Sequence, residues 1–311
     1  MNLFLSSAPH VHSPQSTRVL MRNVLIALAP CAIAAVWYFG YSALLLMVIS
    51  TATAVLCELI WQKLTKQKVR IDDLSAAVTG LLVGLNLPPH APWWIAVIGS
   101  AFAIIIVKCL FGGLGDNFMN PALAARAVLL ASWPVRMTAW YLPTGWSSYT
   151  DAVSAATPLA SPSNYALKDL VLGNIPGTIG EVCKIAILIG FVFLLVTKTI
   201  SWKIPVVVVG TTFILSWLFG GDPVTAVLSG GLLFAAVFMA TDYVTCPMTD
   251  KGQYIYAVGI GLLIAIIRKY GNYPEGATYA ILLMNIATPL IDRFTKNRVY
   301  GHERKVKKEN G

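Results

Sequence analysis

Polar residues along this chain come in short bursts rich in Gly and Pro, separated by long apolar runs. The apolar runs fall near 23–40, 41–62, 74–88, 93–111, 119–134, 180–197, 203–219, 223–241, 254–268 and 276–292. Each approaches the roughly 20 apolar residues that carry a helix across a bilayer. The pattern predicts an all-α integral membrane protein of about ten transmembrane helices, with boundaries defined to within several residues. Composition agrees. The chain is 57% hydrophobic and 12% charged, with mean hydropathy +0.69, outside the range of soluble domains. Met1–Leu5 is too short for the apolar part of a secretory signal, and the polar Ser6–Gln15 that follows has no A-x-A cleavage site.

The net charge of +9 would point to nucleic acid in a soluble protein, but here it reads as topology. With the N-terminus in the cytoplasm, seventeen Lys and Arg fall on the inner side and five on the outer, while Arg126 lies within a span. Basic residues concentrate on the cytoplasmic side of membrane proteins, so both termini are expected there, with membrane lipid rather than nucleic acid beside the basic tail. Two stretches, Lys108–Ala122 and Ile264–Tyr279, share an order of apolar span, basic residue, Gly turn and Pro. Gly115 and Gly271 are 156 apart, and the Gly80-Leu-Leu and Gly231-Leu-Leu triplets are 151 apart. Five spans per half is odd, so the halves are expected to be inverted repeats, an arrangement that builds sites near the bilayer midplane. The expected organisation is a cytoplasmic segment 1–22, a first five-helix repeat 23–134, an outer loop 135–179, a second five-helix repeat 180–292 and a basic cytoplasmic tail 293–311.

Polar groups inside spans are costly and each calls for a role. Gly112–Ala122 breaks the helix at membrane depth, where irregular backbone is tolerated only if it lines a cavity or is buried in protein. Asn117 and Asn120 are expected to face a ligand from the first turn of the following helix, or to act as a helix cap. Asp242, in Met239–Pro247, reads equally as an ion or ring ligand and as a turn cap. Glu58 reads as a partner of Lys63, with an ion path as the alternative. Arg126 needs a phosphate or carboxylate from outside the chain, or backbone carbonyls. Asn86, Asn285 and Thr288 are weaker candidates for polar lining. The five cysteines are scattered and no Cys/His cluster exists, so neither an iron–sulfur nor a zinc site is expected from this chain. No hydrolytic constellation appears, and Gly115 does not begin a P-loop.

The longest polar interval contains Asp151-Ala-Val-Ser154-Ala155-Ala156-Thr157-Pro158. Small residues before Thr157 let an enzyme approach the backbone, and Pro158 biases Thr157 toward an extended conformation. Trp133, Trp140, Tyr141, Trp146 and Tyr149 surround this interval, either as an interfacial aromatic belt or as walls of a flat ring. A modified Thr157 makes this a redox protein. An unmodified one leaves a ten-span channel or transporter of the urea or ammonium type, or a scaffold for redox partners.

Several motifs in order resemble the D subunit of the Rnf complex and, more distantly, the B subunit of the sodium-pumping NADH:quinone oxidoreductase. They are Ser7-Ala8-Pro9-His10 with Ser16-Thr17, Gly112–Ala122, Met239-Ala-Thr241-Asp242, Arg268-Lys-Tyr-Gly271-Asn-Tyr-Pro274-Glu-Gly276, Leu283-Met284-Asn285-Ile286, Pro289-Leu-Ile-Asp292 and Arg298-Val-Tyr-Gly301. The resemblance implies FMN joined through its phosphate to a Thr hydroxyl by a flavin transferase, at the pattern D-x-x-[S/T]-G-A-T. Here Asp151, Ser154 and Thr157 match, and Ala155 stands where Gly is usual. It also implies a second, noncovalent flavin (riboflavin) near Asn117 and Asn120. Beyond the chain it implies partner subunits that carry iron–sulfur centres and flavin, electron transfer coupled to Na+ or H+ movement, and a place in the bacterial cytoplasmic membrane.

Overall fold

The computed structural model describes residues 16–143, 158–159, 165–271 and 276–296. Asp151, Ser154 and Thr157 lie outside the described residues, as do Ala155, Trp146 and Tyr149. Every regular element among the described residues is a helix.

The first two apolar runs join in one 48-residue helix, α1 (Thr17–Leu64), interrupted at Gly40, whose φ of 64° and ψ of −143° are open to glycine alone. The next elements are α2 (Ser75–Leu85) and α3 (Trp93–Ala101), which runs on into π-helix over Phe102–Cys109. α4 (Pro121–Ser132) and α5 (Pro134–Met137) follow. The second half holds α6 (Leu167–Leu172), α7 (Lys184–Val196), α8 (Lys203–Leu218), α9 (Pro223–Leu228), α10 (Leu232–Phe238), α11 (Asp250–Tyr270) and α12 (Ala277–Thr295).

All ten predicted apolar segments carry helix, but most of these helices are shorter than a span. Among the described residues only α1 and α11 are long and apolar enough to cross a membrane by length and composition. The reason is local. Gly112, Gly113, Gly115 and Gly230 all have positive φ, and Pro88, Pro121 and Pro223 cannot donate to a preceding turn, so apolar runs are cut before they reach full length. The expected repeat landmarks do not match in conformation. Gly115 is left-handed (φ 108°) and Gly271 extended (φ −90°). Gly80 lies within α2, whereas Gly231 precedes α10.

Small residues form the contacts between helices, as expected where lipid supplies no hydrophobic drive for helix association. Ala43, Ala54, Ala96, Ala103 and Ala125 are fully buried. The large apolar side chains that remain exposed, such as Trp37, Leu64, Val196 and Trp217, cover the outer surface. α2 lies closely against the second half of α1. A Cβ on Gly80 would stand 2.7 Å from both Ala54 Cβ and Thr51 Cα. Gly80→Val must therefore push two backbones apart, and a loss of about 1–3 kcal/mol is expected, read as a lower detergent-denaturation midpoint. Gly113→Ala, with nothing near the added methyl, meets only the strain of its positive φ.

The start of the 135–179 segment is tied to the α2–α3 turn. Tyr141 packs edge-on against His90, with centroids 4.6 Å apart, and Trp133 packs the same way on Trp94. Arg136 lies over the Trp94 ring at 5.6 Å. Burial holds the His90 imidazole below its ordinary value, which favours its neutral form.

Candidate functional site

The two polar runs singled out in the sequence, 112–122 and 239–247, meet across one cavity. It offers about 70 Å³ and is lined by Asn117, Asn120, Thr241 and Asp242 on the polar side, and by Val78, Leu82 and Phe238 among the apolar residues. Neither asparagine lies in the first turn of α4, as the spacing predicted. Asn117 precedes the helix and donates to Met119 O (3.2 Å). Asn120 is the N-cap itself. Its Oδ1 accepts from the N–H groups of Ala122 (3.0 Å) and Leu123 (3.2 Å), and Pro121 fills the first helical position. The cap and ligand readings of Asn120 are thus compatible, because the capping side chain also faces the cavity.

Asn120 also begins a buried polar chain linking the two halves of the molecule. Its Nδ2 donates to Met239 O (3.2 Å). Assigned from the hydrogen-bond network, the Asn285 amide accepts from Asn120 N (3.1 Å) and donates to the Tyr256 hydroxyl (2.6 Å). Asn86 Nδ2 reaches Met239 Sδ (3.7 Å), and its Oδ1 accepts from Arg126 Nη1 (2.9 Å). Arg126, expected to need a partner from outside the chain or a backbone carbonyl, finds this one in the side chain of Asn86, the residue that ends α2. Thr288 donates to Thr245 O (2.9 Å) and joins α12 to the 239–247 segment. Asp242 accepts from the Thr245 hydroxyl (3.2 Å), so it braces its own turn while lining the cavity.

Glu58 does not pair with Lys63. Its two carboxylate oxygens each accept from Lys108 Nζ at 2.9 Å, and Lys108 also donates to Ser75 Oγ at 2.6 Å. Glu58 and Lys108 are 4% and 2% exposed, which makes this a buried ion pair rather than a surface one. Lys63, about one turn on, was the nearest cation in sequence, but five residues do not bring two side chains onto one helix face. Helix α1 instead turns Glu58 inward and Lys108, on the π-helical segment, comes to meet it. The sequence offered one missed signal, a lysine within an apolar run. The same signal was missed at Glu181 (3% exposed), whose Oε1 accepts from Thr178 N (2.9 Å), and at Lys184 (1% exposed), which donates to Glu181 O. Lys108 and Lys184 are thus fixed by protein partners and carry no weight in a loop-charge count.

A second candidate site lies where α8, α9 and α11 converge. Leu159, two residues beyond Thr157, lines a cavity of about 220 Å³ together with Asp222, Thr225, Arg268 and Lys269. A Cβ on Gly230 would stand 2.8 Å from Leu159 Cδ1 and 3.4 Å from Arg268 Nη2, so the glycine makes room for both. Arg268 donates to the carbonyls of Ala226 and Ser229, and Lys269 to Phe219 O (3.0 Å). Asp222 caps α9, and the Thr225 hydroxyl and the N–H groups of Val224 and Thr225 hold its carboxyl below the usual range. The site therefore offers two cations and one carboxylate beside Leu159 of the 135–179 segment. Among the described residues no His, Cys, Asp and Glu cluster suits a tightly bound transition metal.

This arrangement, an all-helical chain with broken apolar segments around buried polar centres, is that of a multi-span membrane protein with polar sites between its helices. Residues 4–301 match the NQR2, RnfD, RnfE family, and the chain belongs to it. It is 50% identical to the D subunit of the Na(+)-translocating ferredoxin:NAD(+) oxidoreductase complex of Acetobacterium woodii, over 99% of this chain and 98% of that one. The D subunit of the proton-translocating ferredoxin:NAD(+) oxidoreductase complex of Clostridium ljungdahlii is 43% identical over 97% of this chain and 98% of its own length. The D subunit of the ion-translocating oxidoreductase complex of Yersinia pseudotuberculosis is 37% identical, with 96% and 98% covered.

Proposed function

We propose that this chain is the D subunit of an ion-translocating ferredoxin:NAD oxidoreductase in a bacterial cytoplasmic membrane, and that it carries FMN esterified through its phosphate to Thr157. The near full-length relation to named D subunits supports the first part. That relation speaks against the channel alternative, while the scaffold alternative differs in an unmodified Thr157 and is decided by the experiment below. The observation that carries the second part is the Arg268–Lys269 site. Two residues of chain span at most about 7 Å, so a phosphate on Thr157 lies within reach of the cations beside Leu159. Arg and Lys bind phosphate by charge-assisted hydrogen bonds. The topology that goes with this reading is the predicted one, with ten spans, both termini cytoplasmic and the 135–179 loop outside.

A flavin exchanges one or two electrons and so links one-electron centres in partner subunits. The protein supplies position, electrostatics and exclusion of water. In that role Arg268 and Lys269 neutralise the phosphate, while Ser154 and Asp151 stand in the segment that the flavin transferase reads. The noncovalent flavin (riboflavin) belongs to the central cavity in this reading. Asn117, Asn120 and Thr241 there offer the amide and hydroxyl groups that the polar edge of an isoalloxazine needs, against apolar Val78 and Leu82. These donors fit the group. The volume of about 70 Å³ holds a few waters, so the ring enters only if lining side chains such as Phe238 and Tyr243 turn aside. Asp242 and Glu58 are the acidic groups assigned to the ion path.

Peptide mass spectrometry tests the attachment on protein made in cells that contain the flavin transferase, beside Thr157→Ala. The expected result is a Thr157 peptide heavier by one FMN less one water, with in-gel fluorescence absent from the variant. An unmodified Thr157 in transferase-competent cells rejects the covalent assignment.

A further inference from the structure

The Glu58–Lys108 pair is a partition between two voids. Glu58 lines an open void of about 570 Å³ at the end of α1, together with Gln62, Lys68, Arg70 and Asp73. Lys108 and Ser75 line the central cavity with Asn117, Asn120 and Asp242. Leu114 borders both. The carboxylate therefore lines one compartment and the ammonium the other, and their 2.9 Å contact lies between the two.

Lys108 Nζ sits in a shell of oxygens. It contacts both carboxylate oxygens of Glu58 and the hydroxyl of Ser75. Ser75 is oriented for this, because its hydroxyl donates to Asp73 Oδ1 (2.7 Å) and so turns a lone pair toward the ammonium. Gln62 Nε2 steadies the carboxylate from the other side (3.3 Å), while Gln62 Oε1 accepts from Arg70 N (2.9 Å). A carboxylate and hydroxyl set of this kind is what a small hard cation takes. The ammonium is a cation on a flexible four-carbon stem, so it can leave the site without leaving the protein.

We infer that Glu58 and Ser75 form a transit site for a monovalent metal cation, with the Lys108 ammonium as its tethered occupant. A cation entering from the open void displaces the ammonium from Glu58, and the freed lysine swings toward the central cavity and opens the partition. When the cation moves on, Lys108 returns and closes it. The carboxylate keeps a counter-charge at each stage, and the displaced ammonium turns to the cavity that Asp242 lines, where a second carboxylate replaces the one it left. The inference deepens the ion-path part of the proposed function and does not depend on either flavin.

Lys108→Met tests it, because methionine keeps the stem and removes the charge. The intact complex is purified and its thermal midpoint read in NaCl, LiCl or KCl, with choline chloride holding ionic strength constant. The variant's midpoint is expected to rise with the metal cation and to saturate, as for any ligand of the folded state. Wild type should stay flat over the same range. Adding Glu58→Gln should abolish the response, and adding Ser75→Ala should shift its midpoint to several-fold higher concentration. A response to choline as well, to pH alone, or to Na+ after Glu58→Gln overturns the site. So does a Lys108→Met protein that fails to fold in every salt while Glu58→Gln/Lys108→Met folds. As a second readout, the Lys108→Met complex in proteoliposomes is expected to admit 22Na+ with neither ferredoxin nor NAD present, several-fold faster than wild type. No flavin takes part in these assays, so a failed flavin assignment would leave their outcome unchanged.

Discussion

Glu58→Leu alone is expected to cost about 3–5 kcal/mol, because it leaves the Lys108 ammonium buried without its counter-charge. Lys108→Met in metal-free buffer is expected to cost a similar amount by stranding the carboxylate. The double variant Glu58→Leu/Lys108→Met removes both charges together, and most of the loss should return. The physical reason is the asymmetry of buried pairs. Their attraction largely offsets their desolvation, so an apolar replacement of similar volume is nearly neutral, whereas half a pair is not. A double-mutant cycle by chemical denaturation in detergent measures the coupling. Additive losses would show that each residue acts separately, and the partition would then lack its central contact. Lys203–Asp250 serves as the control. Asp250 is mostly exposed there (side chain 77%), so breaking that pair should change stability by no more than about 1 kcal/mol.

Asn120→Leu is expected to cost about 2–4 kcal/mol, with Asn117→Leu costing only about 1 kcal/mol. Asn120 caps two N–H groups of α4, a role usually worth about 1 kcal/mol. Its loss also strands the buried Met239 carbonyl, a further penalty of roughly 1–3 kcal/mol. Asn117 holds only Met119 O. Both side chains line the central cavity, so both substitutions should lower the content of noncovalent flavin in the purified complex, measured after acid extraction as flavin per protein. Stability and flavin content should therefore separate. Asn117→Leu tests ligand binding with the fold nearly intact, while Asn120→Leu disturbs both. Full flavin content in Asn117→Leu would move any noncovalent flavin away from this cavity.

Much of this molecule could be read from one dimension. Apolar runs long enough for a membrane, cut by Gly and Pro, place a helix on each of ten segments, because the bilayer leaves the backbone few alternatives. The motif at Asn120-Pro121 announces a helix start, since Asn satisfies free N–H groups and Pro lacks one. The order of several motifs identifies the family, whereas the Asp151–Thr157 string lies outside the described residues and its role in attachment is a proposal. These signals are local, so the chain carries them wherever it folds.

Partners were not legible. Glu58 and Lys108 are 50 residues apart, Asn120 and Met239 are 119 apart, and Asn86 meets the same methionine across 153. A helical repeat relates a residue only to near neighbours on its own helix, which is why the nearby Lys63 stood in for Lys108 and why Asn86 was not named as a partner for Arg126. Helix lengths were likewise settled by tertiary structure. The Gly112–Asn120 break borders cavities and the Gly230–Gly231 break is packed by Leu159, Arg268 and Glu181, so irregular backbone that lipid would reject is housed in protein and helices that composition alone would draw out to full spans stop short. The sequence by itself determined the kind of protein, the sites of its helix breaks and the chemistry available at them. Only packing decided which buried charges face each other, and that a lysine counted as loop charge closes the passage between two cavities.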